Sequence, residues 1–151
     1  MKTYENISDL QPLVGEVIGT SDWLALEQDR VNLFADATGD HQWIHVDPER
    51  ARNGPFGVPI AHGFLTLSLL PAFSHTAYKI QNSSTGVNYG LDKVRFPAPV
   101  PVGSLLRAHF KLLSFEALEK GGAQMKVEMT VERQGGSKPV CIAESIVRRF
   151  P

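Results

Sequence analysis

At 151 residues, with 42% apolar and 21% charged side chains, the chain has the length and composition of one globular domain with a core of its own. Fifteen Lys and Arg against sixteen Asp and Glu leave a net charge of -1, so no global field favours nucleic acid or an anionic membrane. The single cysteine, Cys141, excludes an intramolecular disulfide and a cysteine-rich metal site. The opening MKTYENISDLQP lacks the apolar core of a signal peptide, and the longest apolar stretch, Gly63 to Phe73, is too short to span a bilayer. A cytoplasmic protein is the expectation.

Residues 1–13 read as a weakly structured lead-in. Val14 to Leu26 mixes β-branched and aromatic residues with two glycines and reads as a first strand. The period then changes: Val31, Phe34, Ala35 and Thr38 fall at i, i+3, i+4 and i+7, one face of a helix, with Gly39 placed to end it. Asp40 to Val46 reads as a loop. Asp47 offers an N-cap carboxylate, Pro48 suits the first helical position, and Asn53-Gly54 ends a second short helix. GPFGVP is turn chemistry. The central segment, about 62–78, opens with AHGF and carries Phe64, Leu65, Leu67, Leu69, Leu70 and Phe73. Apolar on all sides, it reads as a buried helix that Pro71 kinks or interrupts, although a fully buried strand gives the same short apolar run.

The C-terminal half is β. Val87, Tyr89 and Leu91 alternate, and Val94 and Phe96 continue one residue out of phase, which predicts a bulge near Asp92. Leu106 to Leu112 and Met125 to Val131 alternate apolar with polar residues, and a last strand runs from Val140 to Phe150, with turns at Gly121-Gly122 and Gly135-Gly136. Such alternation implies one wet face and antiparallel pairing. One central apolar helix and long antiparallel strands imply an α+β domain over 1–151, its sheet curled around the helix. A lone sheet of this kind leaves its edges unpaired, which favours at least a homodimer.

The chemistry concentrates at residues 39–47. Asp40 and His45 admit four readings. They are a solvated loop acid beside a backbone-bonded histidine; a metal site drawn from Asp40, His41, His45, Asp47 and His62; part of a nucleophilic site; or a general acid–base dyad. No ligand pair sits in a known metal motif, no G-x-S-x-G is present, and Cys141 lies in mid-strand among apolar residues.

The run FADATGDHQWIHVDPERA resembles the signature of the MaoC-like, R-specific enoyl-CoA hydratases. That signature is an aromatic residue, a small residue and Gly-Asp, then Asn-Pro, an aliphatic residue and His, with a small residue soon after. Gly39, Asp40, Ile44, His45 and Ala51 fill the matching positions, and Ala61-His62-Gly63-Phe64 resembles the start of the family's central helix. Gln42 and Trp43 stand where the family usually has Asn-Pro. Gln keeps the amide with one methylene more, and Trp does not fix φ as Pro does.

The resemblance implies the hot-dog fold and the reversible addition of water to trans-2-enoyl thioesters in fatty-acid metabolism. It implies that Asp40 and His45 grip the water and that the backbone N–H of Gly63 faces the thioester oxygen. From the residues alone, Gly63 is equally a helix-start glycine. Gln42, Trp43 and Phe64 are assigned to the substrate pocket together with His62, which is read as structural and not catalytic. The substrate would be an acyl-CoA or acyl-carrier-protein thioester, with coenzyme A entering as part of the substrate, and neither a metal nor a bound redox cofactor is expected. The resemblance further implies that two sheets join edge to edge, with both subunits lining the substrate tunnel. Two rivals remain, a hot-dog acyl-CoA thioesterase and a non-catalytic, nodulation-type protein that binds acyl thioesters.

Overall fold

The computed structural model describes residues 1–151. In chain order the elements are β1 (Lys2–Tyr4), a 3₁₀ turn (Ile7–Leu13), β2 (Val17–Thr20), β3 (Leu24–Leu26), α1 (Gln28–Thr38), α2 (Trp43–Val46), α3 (Pro48–Arg52), α4 (Gly63–Ser68), α5 (Leu70–Ala77), β4 (Tyr78–Ile80), β5 (Thr85–Arg95), β6 (Ser104–Ala117), β7 (Ala123–Arg133) and β8 (Cys141–Phe150). The main sheet runs β2-β6-β7-β8-β5, with β3 also on β6, and every pairing in it is antiparallel. The hairpins β6–β7 and β7–β8 form where the glycine turns predicted them.

Strand β7 shows why the sheet has two faces. Ala123, Met125, Val127, Met129 and Val131 are buried while their neighbours are half-buried, the period of two that a pleated strand imposes. Leu106, Ala108, Phe110 and Leu112 do the same on β6. These side chains meet Leu65, Leu69, Phe73 and Ala77 from the central helices in one core. Phe73 is 1% exposed, so truncating it to Ala would cost about 3–5 kcal/mol through lost burial and the cavity left behind. The bulge expected near Asp92 is present as a register shift between Leu91 and Val94, and a second lies between Asn88 and Gly90.

Four details differ from the sequence expectations. The lead-in is structured: β1 pairs in parallel with β4, and the 3₁₀ turn buries Ile7 and Leu10, two apolar anchors too isolated to show a period. The strand expected from Val14 to Leu26 is two short strands, both on β6: Ser21 still donates its N–H to the Ala108 carbonyl, but the Asp22 N–H leaves the ladder for Thr76 Oγ1. The loop from Asp40 to Val46 contains one helical turn, α2. The central helix is two, α4 and α5, separated at Leu69. Pro71 sits in the first turn of α5, where its missing N–H costs no bond, and that placement requires the helix to restart just before it.

Nor is the central helix buried all round. Phe64 is 68% exposed, and Ser68, Pro71, Ala72 and His75 also face outward, so the sheet covers one side only. No helix is long and apolar enough to cross a membrane.

Candidate active site

Helix α1 ends as its sequence dictates. Gly39 adopts φ 80°, a left-handed conformation that a side chain would disfavour, and its N–H donates to the Ala35 carbonyl at 2.8 Å. The turn delivers Asp40 to the surface. The Gln42 N–H donates to Asp40 Oδ1 at 3.3 Å, and Gln42, itself exposed, stands at the N-cap position of α2 without a side-chain capping bond. Helix α3 follows with Asp47 Oδ1 accepting the Arg50 N–H at 3.0 Å, the predicted N-cap.

His45 lies in the last turn of α2 and is 7% exposed. Its Nδ1 is 2.6 Å from the Ile60 carbonyl oxygen. A carbonyl only accepts, so Nδ1 carries the hydrogen, and the neutral ring keeps a bare lone pair on Nε2. The anchor is itself fixed: the Ile60 N–H donates to the Ile44 carbonyl at 3.0 Å, and the next N–H, of Ala61, donates to Val100 at 2.8 Å. Gln28 Nε2 holds the His45 carbonyl at 2.8 Å. Burial pushes the His45 pKa below its usual value; the Ile60 bond opposes that shift, the neighbouring His62 adds to it, and Asp40 opposes it.

His62, the N-cap of α4, is 2% exposed. Its ring stacks on His45 with centroids 3.9 Å apart and tilts against Phe34 at 4.9 Å. Its Nε2 donates to the Asp40 carbonyl at 3.0 Å, while its Nδ1 is buried without a partner. Gly63 opens α4, so its N–H lies in the first turn, where no carbonyl of the same helix can reach it. A Cβ on Gly63 would stand 3.0 Å from the ring of Phe96, which also meets Phe64 edge to face at 6.1 Å.

Ligand atoms of Asp40, His45 and His62 lie within 4.8 Å of one another. They are close enough to share one water, and they are also the groups that could hold a divalent cation. Trp43 points elsewhere: Arg50 sits 4.5 Å over its ring, which fills the space a Cβ on Gly54 would need. His41 turns outward to Asp36, 2.9 Å away. Cys141 is buried, and desolvation raises its thiol to about 11, so it has no nucleophile to offer at neutral pH.

The structure thus brings together Asp40, His45, His62 and the start of α4, leaves Gln42 and Phe64 exposed, and turns Trp43 away toward Arg50. Sequence reasoning missed Gln28, Ile60 and Phe96. Their contacts to the site span 17, 15 and 33 positions, and none carries a local pattern.

A sheet wrapped over a central helix, with a carboxylate and a tautomer-fixed imidazole at the helix start, defines a hot-dog protein with a polar site on an apolar frame. The chain belongs to the MaoC-like domain family, whose model matches residues 9–135. The protein called 3-hydroxyacyl-thioester dehydratase Z from Mycobacterium tuberculosis (strain H37Rv) is 58% identical over 148 residues, 98% of each chain. Nodulation protein N of Rhizobium leguminosarum bv. viciae is 45% identical over 146 residues, 93% of this chain and 89% of the relative. The unliganded R-hydratase PhaJ1 from Pseudomonas aeruginosa superimposes with a TM-score of 0.66 at 28% identity, over 89% of this chain and 79% of its own.

Proposed function

We propose that this protein catalyses the reversible hydration of trans-2-enoyl thioesters to R-3-hydroxyacyl thioesters in fatty-acid metabolism, acting as a hydro-lyase. The observation that carries the reading is the tautomer of His45: Ile60 fixes the proton on Nδ1 and leaves Nε2 bare, beside the Asp40 carboxylate. Water held by these two groups gives a proton to Nε2 as its oxygen bonds to Cβ. The electron pair of the double bond moves toward the thioester carbonyl, and a proton returned to Cα completes the addition. The Gly63 N–H is the donor that meets the charge on the thioester oxygen, and it acts most strongly as that charge develops. His62 holds the Asp40 backbone and the His45 ring, a positioning role. Phe64 and Gln42, both exposed, shape the entrance, while Trp43 acts at a distance by bracing α3 through Arg50. Family membership and the 58% identity to a 3-hydroxyacyl-thioester dehydratase support the reaction class. The 28% identity to an R-hydratase supports the stereochemistry.

The protein is mixed with crotonyl-CoA, then with longer enoyl-CoAs, and loss of the enoyl-thioester absorbance is followed. Chiral analysis then identifies the product. Rapid hydration to the R alcohol is expected. Free thiol released without hydration would favour a thioesterase, and binding without turnover would favour an accessory role like that suggested by the nodulation relative's name. The dyad needs no metal, so activity should survive exhaustive chelation; loss that Zn²⁺ or Mg²⁺ restores would reassign Asp40, His45 and His62 as ligands.

The working form is a homodimer. Edge strand β5 is exposed at all positions but one; Val87, Tyr89 and Leu91 on it offer apolar surface, as does Phe96 where it meets Phe64. Such an edge and patch call for a partner. Sedimentation should show a dimer; a monomer fully active at nanomolar concentration would overturn this.

A further inference from the structure

Cys141, Ala143, Ser145, Val147 and Arg149 share the inner face of β8, two residues apart. The first four are small or apolar, as a core face requires. The fifth is a guanidinium, and the register makes room for it: Arg149 pairs with Gly86 on β5 and with Ala123 on β7. A Cβ on Gly86 would come within 2.6 Å of Arg149 Nη1. Arg149 Nε is buried with no hydrogen-bond partner, and none of the ion pairs in the protein includes this residue. Its polar neighbour is the hydroxyl of Tyr78, itself 8% exposed. Arg149 as a whole is half-buried, so solvent meets part of its charge, but no carboxylate does, and a bound anion would supply that partner.

The surroundings say what is missing. Arg149 and Tyr78 border a cavity of about 170 Å³ between α5 and the sheet, lined also by Ser74, Asn88, Phe110 and Ser145 and by no Asp or Glu. A second hollow of about 380 Å³ shares Leu70, Pro71, Asn88 and Ser145 with the first and extends back to Leu67 and Ser68. The two make one furrow along α4 and α5. It starts about a turn beyond Gly63 and ends at Arg149, and the helical path from Gly63 to Tyr78 is ~22 Å at 1.5 Å per residue.

The geometry points to a subsite for an anionic acyl terminus: the furrow takes enoyl thioesters whose far end carries a carboxylate, gripped by Arg149 and the Tyr78 hydroxyl. A guanidinium's planar fork matches a carboxylate's two oxygens, and a neutral phenol adds a third donor. Burial holds the Tyr78 phenol above its usual pKa, so it keeps that proton at neutral pH. The subsite rests on the hydratase reading, and the test separates the two.

A series of trans-2-enoyl-CoAs of increasing length is compared as two versions, one ending in a free carboxylate and one in its methyl ester. Crotonyl-CoA, too short to reach Arg149, reports the basal reaction. At the length that spans the furrow, wild type should favour the acid over the ester by roughly 10–10²-fold in kcat/KM, the scale of a hydrogen bond to a charged group. Arg149→Met, shown to melt within a few degrees of wild type, should bring that ratio to about twofold or less, and Arg149→Lys should keep part of it as a point charge without the fork. Equal use of acid and ester by wild type at every length, or a ratio unchanged in Arg149→Met, would overturn the subsite. So would rejection of the acid, the result expected if a carboxylate of a second subunit already fills the site. The wild-type ratio needs no variant to fold, and failure to hydrate crotonyl-CoA would sink the hydratase reading instead.

Discussion

His45 and His62 lie face to face, both buried and both bonded to a main-chain carbonyl, yet they are set up for opposite roles. His45, on the loop turn, spends Nδ1 on Ile60 and keeps Nε2. His62, on the helix cap, spends Nε2 on Asp40 and keeps an Nδ1 that is buried with nothing to bond. Which nitrogen the backbone claims decides which histidine can take a proton from water. The lesson is that burial and residue type do not distinguish a base from a brace; the position of the anchoring carbonyl does.

The sharpest way to break this contrast is to remove the dyad. Asp40→Asn and His45→Gln should each lower kcat by ~10²-fold or more, the low end for losing a positioned acid or base. The double variant should be little worse than either single, because both act on one water. Near-native turnover in either single variant would move the chemistry elsewhere, and His62 would be the first place to look.

A loss of comparable size should follow from Gly63, provided the steric effect is separated out. A Cβ there meets Phe96 at 3.0 Å, so a proline adds crowding as well as deleting the N–H. Gly63→Ala carries the same Cβ and keeps the N–H, which makes it the proper reference. Gly63→Pro should fall below Gly63→Ala by ~10²–10³ in kcat with little change in KM. Equal rates in the two would make Gly63 only a helix-start glycine.

The pH profile sharpens the contrast further. A neutral His45 is needed to accept the proton, and burial holds its pKa below the usual 6.5. The acid limb of kcat/KM for hydration should therefore fall below pH 6.5. His62→Phe should shift that limb upward, because the nearby ring is one of the influences lowering His45, and its cost in kcat should stay under about tenfold if it only positions. A limb that stays put, with a loss as large as that of His45→Gln, would make the two histidines equivalent.

The smallest effect is on stability. The unfolded chain binds a proton at His45 more readily than the folded one, so this residue's contribution is full above pH 6.5 and is lost as pH falls through the lower folded value. His41 works in the opposite sense. Its bond to Asp36 raises its pKa, so its contribution is full below 6.5 and is lost as pH rises through the folded value. Comparing the pH dependence of melting in wild type and His45→Gln isolates the first. A flatter acid side in the variant is expected, and an unchanged slope would contradict the assignment.

How far the chain could be read in advance follows from how local each signal is. The turn at Gly39, the cap at Asp47, the alternation of β6 and β7 and the bulge near Asp92 were legible because each depends on residues within a few positions. The lead-in was not: Ile7 and Leu10 are too few to show a period, and parallel pairing of β1 with β4 joins segments more than seventy residues apart. The restart of the helix at Leu70 was half legible, since Pro71 announces a break but not which residue absorbs it.

At the site, the sequence by itself determined the chemical types and their order: an acid, an imidazole and a glycine opening an apolar helix, on a loop whose ends were marked. Tertiary structure alone decided which nitrogen of His45 is bare, because the carbonyl that claims the other belongs to Ile60, held by a separate loop. It also turned Trp43 toward Arg50, left Phe64 exposed, and set the Arg149 guanidinium beside Tyr78 at the end of a furrow. The physical reason is the same in each case: a side chain's type is fixed by its codon, but its partner is fixed by packing between distant segments. Proton position and charge balance depend on the partner.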